Sequence, residues 1–122
     1  MADEIKLQGT LAIRNGYFVR SHSPGNISID QATLGGHGGI QVIGTSEEVI
    51  VLTDVTNAGW AYFRNLDTNN YIEIGPTSSG ALVPFMRLEA GEYALCRLTP
   101  SVVLRAQANT APIKLEISVF SA

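Results

Sequence analysis

The chain has 122 residues, of which 45% are apolar and 16% charged, with a formal net charge of −3. This length fits one domain around one core, the apolar share excludes a disordered chain, and so weak a charge gives no general attraction for nucleic acid or an anionic membrane. No apolar run approaches the ~18 residues of a membrane span, and Met1-Ala2-Asp3-Glu4-Ile5-Lys6 lacks the basic head and apolar stretch of a secretory signal, so synthesis in the cytoplasm is expected. Cys96 is the only cysteine, which excludes a disulfide or a multi-thiolate metal centre within one chain.

Ile5, Leu7, Gly9, Leu11 and Ile13 share one parity, with Lys6, Gln8, Thr10 and Arg14 on the other, the period of a half-buried strand. Asn15-Gly16 predicts a type I′ hairpin turn into Tyr17-Phe18-Val19. Ser23-Pro24-Gly25-Asn26 breaks the chain before a third strand at Ile27, Ile29 and Gln31. Gly35-Gly36-His37-Gly38-Gly39 reads as a mobile connection into Ile40, Val42 and Ile43. Val49-Ile50-Val51-Leu52 is apolar on both parities, which predicts burial on both faces, in the core or under another subunit.

Asn57-Ala58-Gly59 turns into Trp60 to Leu66, and Asp67-Thr68-Asn69-Asn70 turns again into Tyr71 to Ile74. Strands follow at Leu82 to Leu88, where Pro84 implies an edge or a bulge, and at Tyr93 to Leu98, Val102 to Ala106 and Ile113 to Val119. Eight to ten short strands separated by turn signals, with no helix, predict an all-β antiparallel sandwich of jelly-roll or related Greek-key topology. The expected organisation is one domain over residues 1–122, with Met1 to Lys6 as a short arm if it is unpaired.

Residues able to carry chemistry are sparse. His22 and His37 are not spaced to hold one metal, carboxylates are scattered, and no nucleophile elbow or phosphate loop occurs, so no catalytic residue, cofactor site or metal site is assigned. His37 reads as a solvated loop residue and His22 as a strand end. Asp67, Asn69, Asn70 and Glu73 lack the glycine and closing acid of a calcium loop at the required offsets, which leaves ordinary Asx turn chemistry. Cys96 reads as a small buried residue of low reactivity. Trp60 and Tyr62 share a face, whose aromatics could anchor an interface or stack on sugar, while Arg87, Arg97 and Arg105 are candidates for salt bridges to a partner.

Gly59-Trp60-Ala61-Tyr62-Phe63-Arg64-Asn65-Leu66-Asp67, then Asn70 to Gly75, Phe85 to Tyr93 and Ala108 to Glu116, resemble a pattern of small bacteriophage structural proteins, over Gly59 to Phe120. The nearest class by this resemblance is the capsid decoration or cement protein. The resemblance implies a β-sandwich or jelly roll on the virion surface, often a homotrimer, with the major capsid protein as partner. The residues themselves agree with self-association, because a charge-poor chain with a doubly apolar Val49 to Leu52 segment exposes apolar surface as a monomer. Val49, Val51, Trp60, Tyr62, Arg87, Arg97 and Arg105 are accordingly the expected oligomer or partner interface. The competing reading is a carbohydrate-binding module of a viral fibre or tail using Trp60, Tyr62 or Tyr71 as stacking surfaces. A metal-dependent enzyme of the cupin type ranks third.

Overall fold

The computed structural model describes residues 4–32, 34–55 and 57–122. Every described element is a strand, and the chain divides into two compact units, one ending at Ala32 and one running on to Ala122. The first unit is a nested antiparallel ladder. Its strands β1 (Ile5–Leu7) and β4 (Ile27–Ile29) pair at the base, and β2 (Leu11–Asn15) pairs with β3 (Phe18–His22) toward the tip.

Three expectations change in this unit. The alternating run from Ile5 to Arg14 is two strands rather than one, interrupted over residues 8–10. The hairpin turn is Gly16-Tyr17 rather than Asn15-Gly16: Asn15 pairs with Phe18, and only Gly16 of the two turn residues has positive φ, at 59°, the type II′ pattern. Ile5 and Lys6 are paired with Ile29 and Ser28, so the condition for a Met1 to Lys6 arm is not met at these two residues; Met1 to Asp3 lie outside the described residues. Leu11, Ile13, Phe18 and Val19 stay exposed and Tyr17 is wholly in solvent, because a ladder without a second sheet layer has nothing of its own to cover its faces.

The second unit holds the sandwich. Its strands are β5 (Gly36–Ile43), β6 (Glu48–Val49), β7 (Ala58–Asn65), β8 (Ile72–Ser78), the short β9 (Ala81–Leu82), β10 (Met86–Leu88), β11 (Tyr93–Arg97), β12 (Leu104–Ala108) and β13 (Ile113–Ser121). The pairing is mirrored about the tight turn between β8 and β9: β8 pairs β10, β7 pairs β11, β6 pairs β12 and β5 pairs β13. Wrapping that long hairpin adds β7 to β13 and β8 to β12, so the sheets run β11-β7-β13-β5 and β10-β8-β12-β6. This is the jelly-roll order of an antiparallel sandwich.

Strand alternation builds the core. Ala61 and Phe63 of β7, with Ile113, Leu115, Ile117 and Val119 of β13, face Ile72 and Ile74 of β8 and Leu104, Ala106 and Ala108 of β12. Phe63 is the largest of these fully buried side chains, and its truncation to alanine would cost about 3–5 kcal/mol.

The glycine-rich segment is not a loose connection. Gly36 to Gly39 opens β5, in register with Ile117, Ser118, Val119 and Phe120, and leaves the neighbouring strand room: a Cβ on Gly36 would lie 2.8 Å from the Val119 carbonyl oxygen. Within one chain Val49-Ile50-Val51-Leu52 is not buried on both faces in the core. Ile50 enters the core and Leu52 packs against it, while Val49, at the end of the edge strand β6, and Val51 beyond it are 42% and 49% exposed. Pro84 does mark a bulge. Val83 to Phe85 interrupts the run between β9 and β10, and the Val83 and Phe85 amides donate to the Pro76 and Ile74 carbonyls across Gly75.

Candidate functional site

The sandwich presents two outward sheet faces, and the expected interface residues divide between them. On β11-β7-β13-β5, Trp60 and Tyr62 alternate with core residues and turn outward, and Arg97 lies opposite Trp60. Register adds Leu95 beside Tyr62, Tyr93 beside Arg64, and Ile40 beside Glu116. Tyr93, Leu95, Ile40, Val42 and Phe120 all leave apolar surface exposed on this sheet. The Tyr62 and Tyr93 rings stand 6.3 Å apart, tilted by 36°. The Tyr62 hydroxyl donates to Glu116 Oε1 at 2.9 Å, and burial together with that carboxylate pushes its pKa up. The indole Nε1 of Trp60 is buried and has no acceptor among the described residues.

On β10-β8-β12-β6 the two arginines are engaged within the chain. Arg87 lies over the Tyr71 ring at 3.8 Å and reaches Glu73 at 3.4 Å and Glu89 at 3.9 Å. Arg105 reaches Glu47 at 3.5 Å and is in register with Val49, which sits on the exposed flank with Val51. The structure therefore brings Trp60, Tyr62 and Arg97 together, and separately Val49 and Arg105, with Arg87 beyond β8 on that second sheet. The guanidinium on Tyr71 occupies one face of a ring considered for sugar stacking.

Two polar ties between elements have no strong sequence signature. Gln41 of β5 donates its amide to the Val49 carbonyl and accepts the Val51 amide, both at 3.0 Å, and so links the edge strands of the two sheets. His37, read from the sequence as a solvated loop residue, is a strand residue whose Nδ1 is 2.9 Å from Asp54 Oδ1. It is in register with the buried Val119 of β13, so it has the inward parity of β5. The glycines around it hid that arrangement.

The Asp67 turn behaves as turn chemistry predicts. Asp67 Oδ2 accepts the amides of Asn69 at 3.0 Å and Asn70 at 2.7 Å, and these donors hold its carboxyl below the usual range. Asn65, fully buried at the end of β7, secures the turn from beneath. Its Oδ1 accepts the Asp67 amide at 2.8 Å, and its Nδ2 donates to the carbonyls of Asn70 at 2.9 Å and Leu88 at 3.0 Å. Cys96 packs partly buried against the core, which pushes its thiol pKa up and leaves it a poor nucleophile. Among the described residues no three or more His, Cys, Asp or Glu side chains gather as a metal site would require.

These features define an all-β jelly-roll sandwich with an apolar, aromatic outer face. Compared with protein-family models, curated proteins and solved structures, the chain matches none.

Proposed function

We propose that this is a non-enzymatic structural protein of a bacteriophage virion, a capsid decoration or cement protein. In this reading it self-associates, with a trimer favoured, and stabilises the head by bridging neighbouring subunits of the major capsid protein. The observation that carries the reading is the apolar surface left outside both units: Leu11, Tyr17 and Phe18 on the ladder, and Ile40, Val42 and Tyr93 on the sandwich. Surface of that kind is normally covered by other protein. The resemblance over Gly59 to Phe120 adds the phage context. Mechanically, a preformed β module would touch two capsid subunits at once, and repetition over the shell would multiply modest contacts through avidity.

Light scattering of the purified protein, followed by co-sedimentation with assembled phage shells, tests this reading. The expected result is an oligomer that pellets with shells and raises their melting temperature. A protein that stays in the supernatant at saturating shell concentration overturns it. The Trp60, Tyr62 and Tyr93 grouping on one sheet face also suits sugar stacking, the second reading, for which saturable quenching of Trp60 fluorescence by simple sugars is the expected signature.

A further inference from the structure

We infer that two copies of the chain pair through their β5 strands, edge to edge and antiparallel, joining two sandwich sheets into one. The main-chain geometry carries this. In an antiparallel ladder alternate residues turn both N–H and C=O toward one neighbour, and those between turn both groups the other way. The Ser121 amide donates to the Gly35 carbonyl and the Leu66 amide to the Lys114 carbonyl, both at 3.0 Å. By alternation along the register, the first bond assigns Ile113, Leu115, Ile117 and Val119 to Ile43, Gln41, Gly39 and His37. The second gives the intervening β13 residues to β7, in agreement. Gly36, Gly38, Ile40 and Val42 therefore turn their amides and carbonyls away from β13, and among the described residues β5 is the last strand of its sheet. The ties from β5 to residues 49–54, Gln41 to Val49 and Val51 and His37 to Asp54, run through inward side chains and use none of these groups.

Edge strands are normally guarded by shortness, charge, proline or a bulge. The other sheet ends follow that rule: β6 and β10 have two and three residues, and β11 carries Arg97. β5 runs for eight residues with no Lys, Arg, Asp, Glu or Pro. The charges beside its outer face, Lys114 and Glu116, stand one strand back, in register with Val42 and Ile40. The edge is also complementary to itself. Turned about a two-fold axis at Gly39, Gly36 of one copy faces Val42 of the other and Gly38 faces Ile40. Every open residue then meets an open residue, with two hydrogen bonds in each of four facing pairs. Ile40 and Val42, 59% and 55% exposed, lie across the bare backbone of the facing glycines, and the two Ile40 side chains meet diagonally at the axis. No facing pair sets like charges or two bulky outward side chains against each other, which is why a second copy is the partner this edge fits.

The contact goes beyond the proposed function and does not involve the capsid: it pairs single chains, or joins two trimers where that trimer forms. The test is molar mass by light scattering, with amide hydrogen exchange by NMR at low and high protein concentration, on the parent, Ile40→Pro and Ile40→Lys/Val42→Lys. Ile40→Pro removes an outward amide that β13 does not use, and the lysines place charge on an exposed edge; circular dichroism melts show that each variant is folded. The expected parent mass at high concentration is an even multiple of 13.1 kDa, halved in each folded variant. In the parent the amides of Gly36, Gly38, Ile40 and Val42 should exchange about tenfold or more slower at high concentration, while those of His37, Gly39, Gln41 and Ile43 stay slow throughout. That pattern decides the matter even where a variant fails to fold. A parent of one or three chains, folded variants of parent mass, or protection gained at β11 instead of β5 overturns the pairing. Co-sedimentation is scored separately: a chain that pellets with shells but lacks the β5 pattern removes this contact and keeps the decoration reading, whereas one with the full pattern that never pellets does the reverse.

Discussion

Truncating Asn65 to alanine removes three hydrogen bonds at once: one accepted from the Asp67 amide and two donated, to the Asn70 and Leu88 carbonyls. At about 0.5–1.5 kcal/mol net for each bond, the loss is about 3 kcal/mol, with the buried site unable to admit water freely to replace them. For a domain of this size that corresponds to a fall in Tm of about 10–15 °C. The assay is a circular dichroism melt paired with urea unfolding, in which the midpoint should fall while the slope is unchanged. Asn65→Asp serves as the informative companion. It keeps the acceptor for Asp67 but turns a carboxylate oxygen toward two carbonyls, so it should be worse than alanine at pH 7 and partly recover near pH 4, when protonation restores one donor. If Asn65→Ala melts within 2–3 °C of the parent, roughly what an ordinary surface substitution gives, the amide is not the tie between β7, the 67–70 turn and β10.

Gly75→Ala should also destabilise, by about 2 kcal/mol or more, because its Cβ would overlap the Val83 carbonyl oxygen and the bulged segment would have to move; urea unfolding measures it. Asp67 contributes through a depressed folded-state pKa. That stability is present above its unfolded value near 3.8 and is lost as pH falls through the lower folded value, so melts of Asp67→Asn should show a shallower acid limb than the parent. Cys96 should react with a disulfide reagent far more slowly in the folded protein than in urea at pH 7.5, and equal rates would contradict its packing against the core.

What could be read directly from the sequence was the alternation. The runs at Trp60 to Asn65 and Ile113 to Val119 form central strands with the inward and outward sides their parity predicts, and the Asp67 turn and the Pro84 bulge follow from single-residue chemistry. Composition misled at Gly35 to Gly39, where missing side chains signalled mobility, whereas β13 lies close enough that a side chain on Gly36 would strike its backbone. Val49 to Leu52 was legible only in part: apolar residues on both parities leave open burial in the core or under another subunit, and within one chain only Ile50 and Leu52 turn to the core. The interface residues were separated by topology, which no local pattern contains. Trp60 and Arg97 meet through strand register, and Asn65 reaches Leu88 across a turn and a change of sheet. The clean parity of Ile5 to Ile13 correctly indicated strand but could not show that it lies outside the sandwich.

The mirrored pairing also dictates an order of events during synthesis. Residues 5–29 can form their ladder as soon as they emerge, since every partner is nearby in the chain. β5 waits for β13, with Gly36 finding Phe120, and β6 waits for β12. Most of the polypeptide must therefore leave the ribosome before either sheet can close, and a nascent chain stopped at Asn109 would carry β5 and β7 with their shared neighbour missing. Such long-range closure places folding in the range of about milliseconds to seconds, and it makes the final nine-residue strand the latch of the whole sandwich.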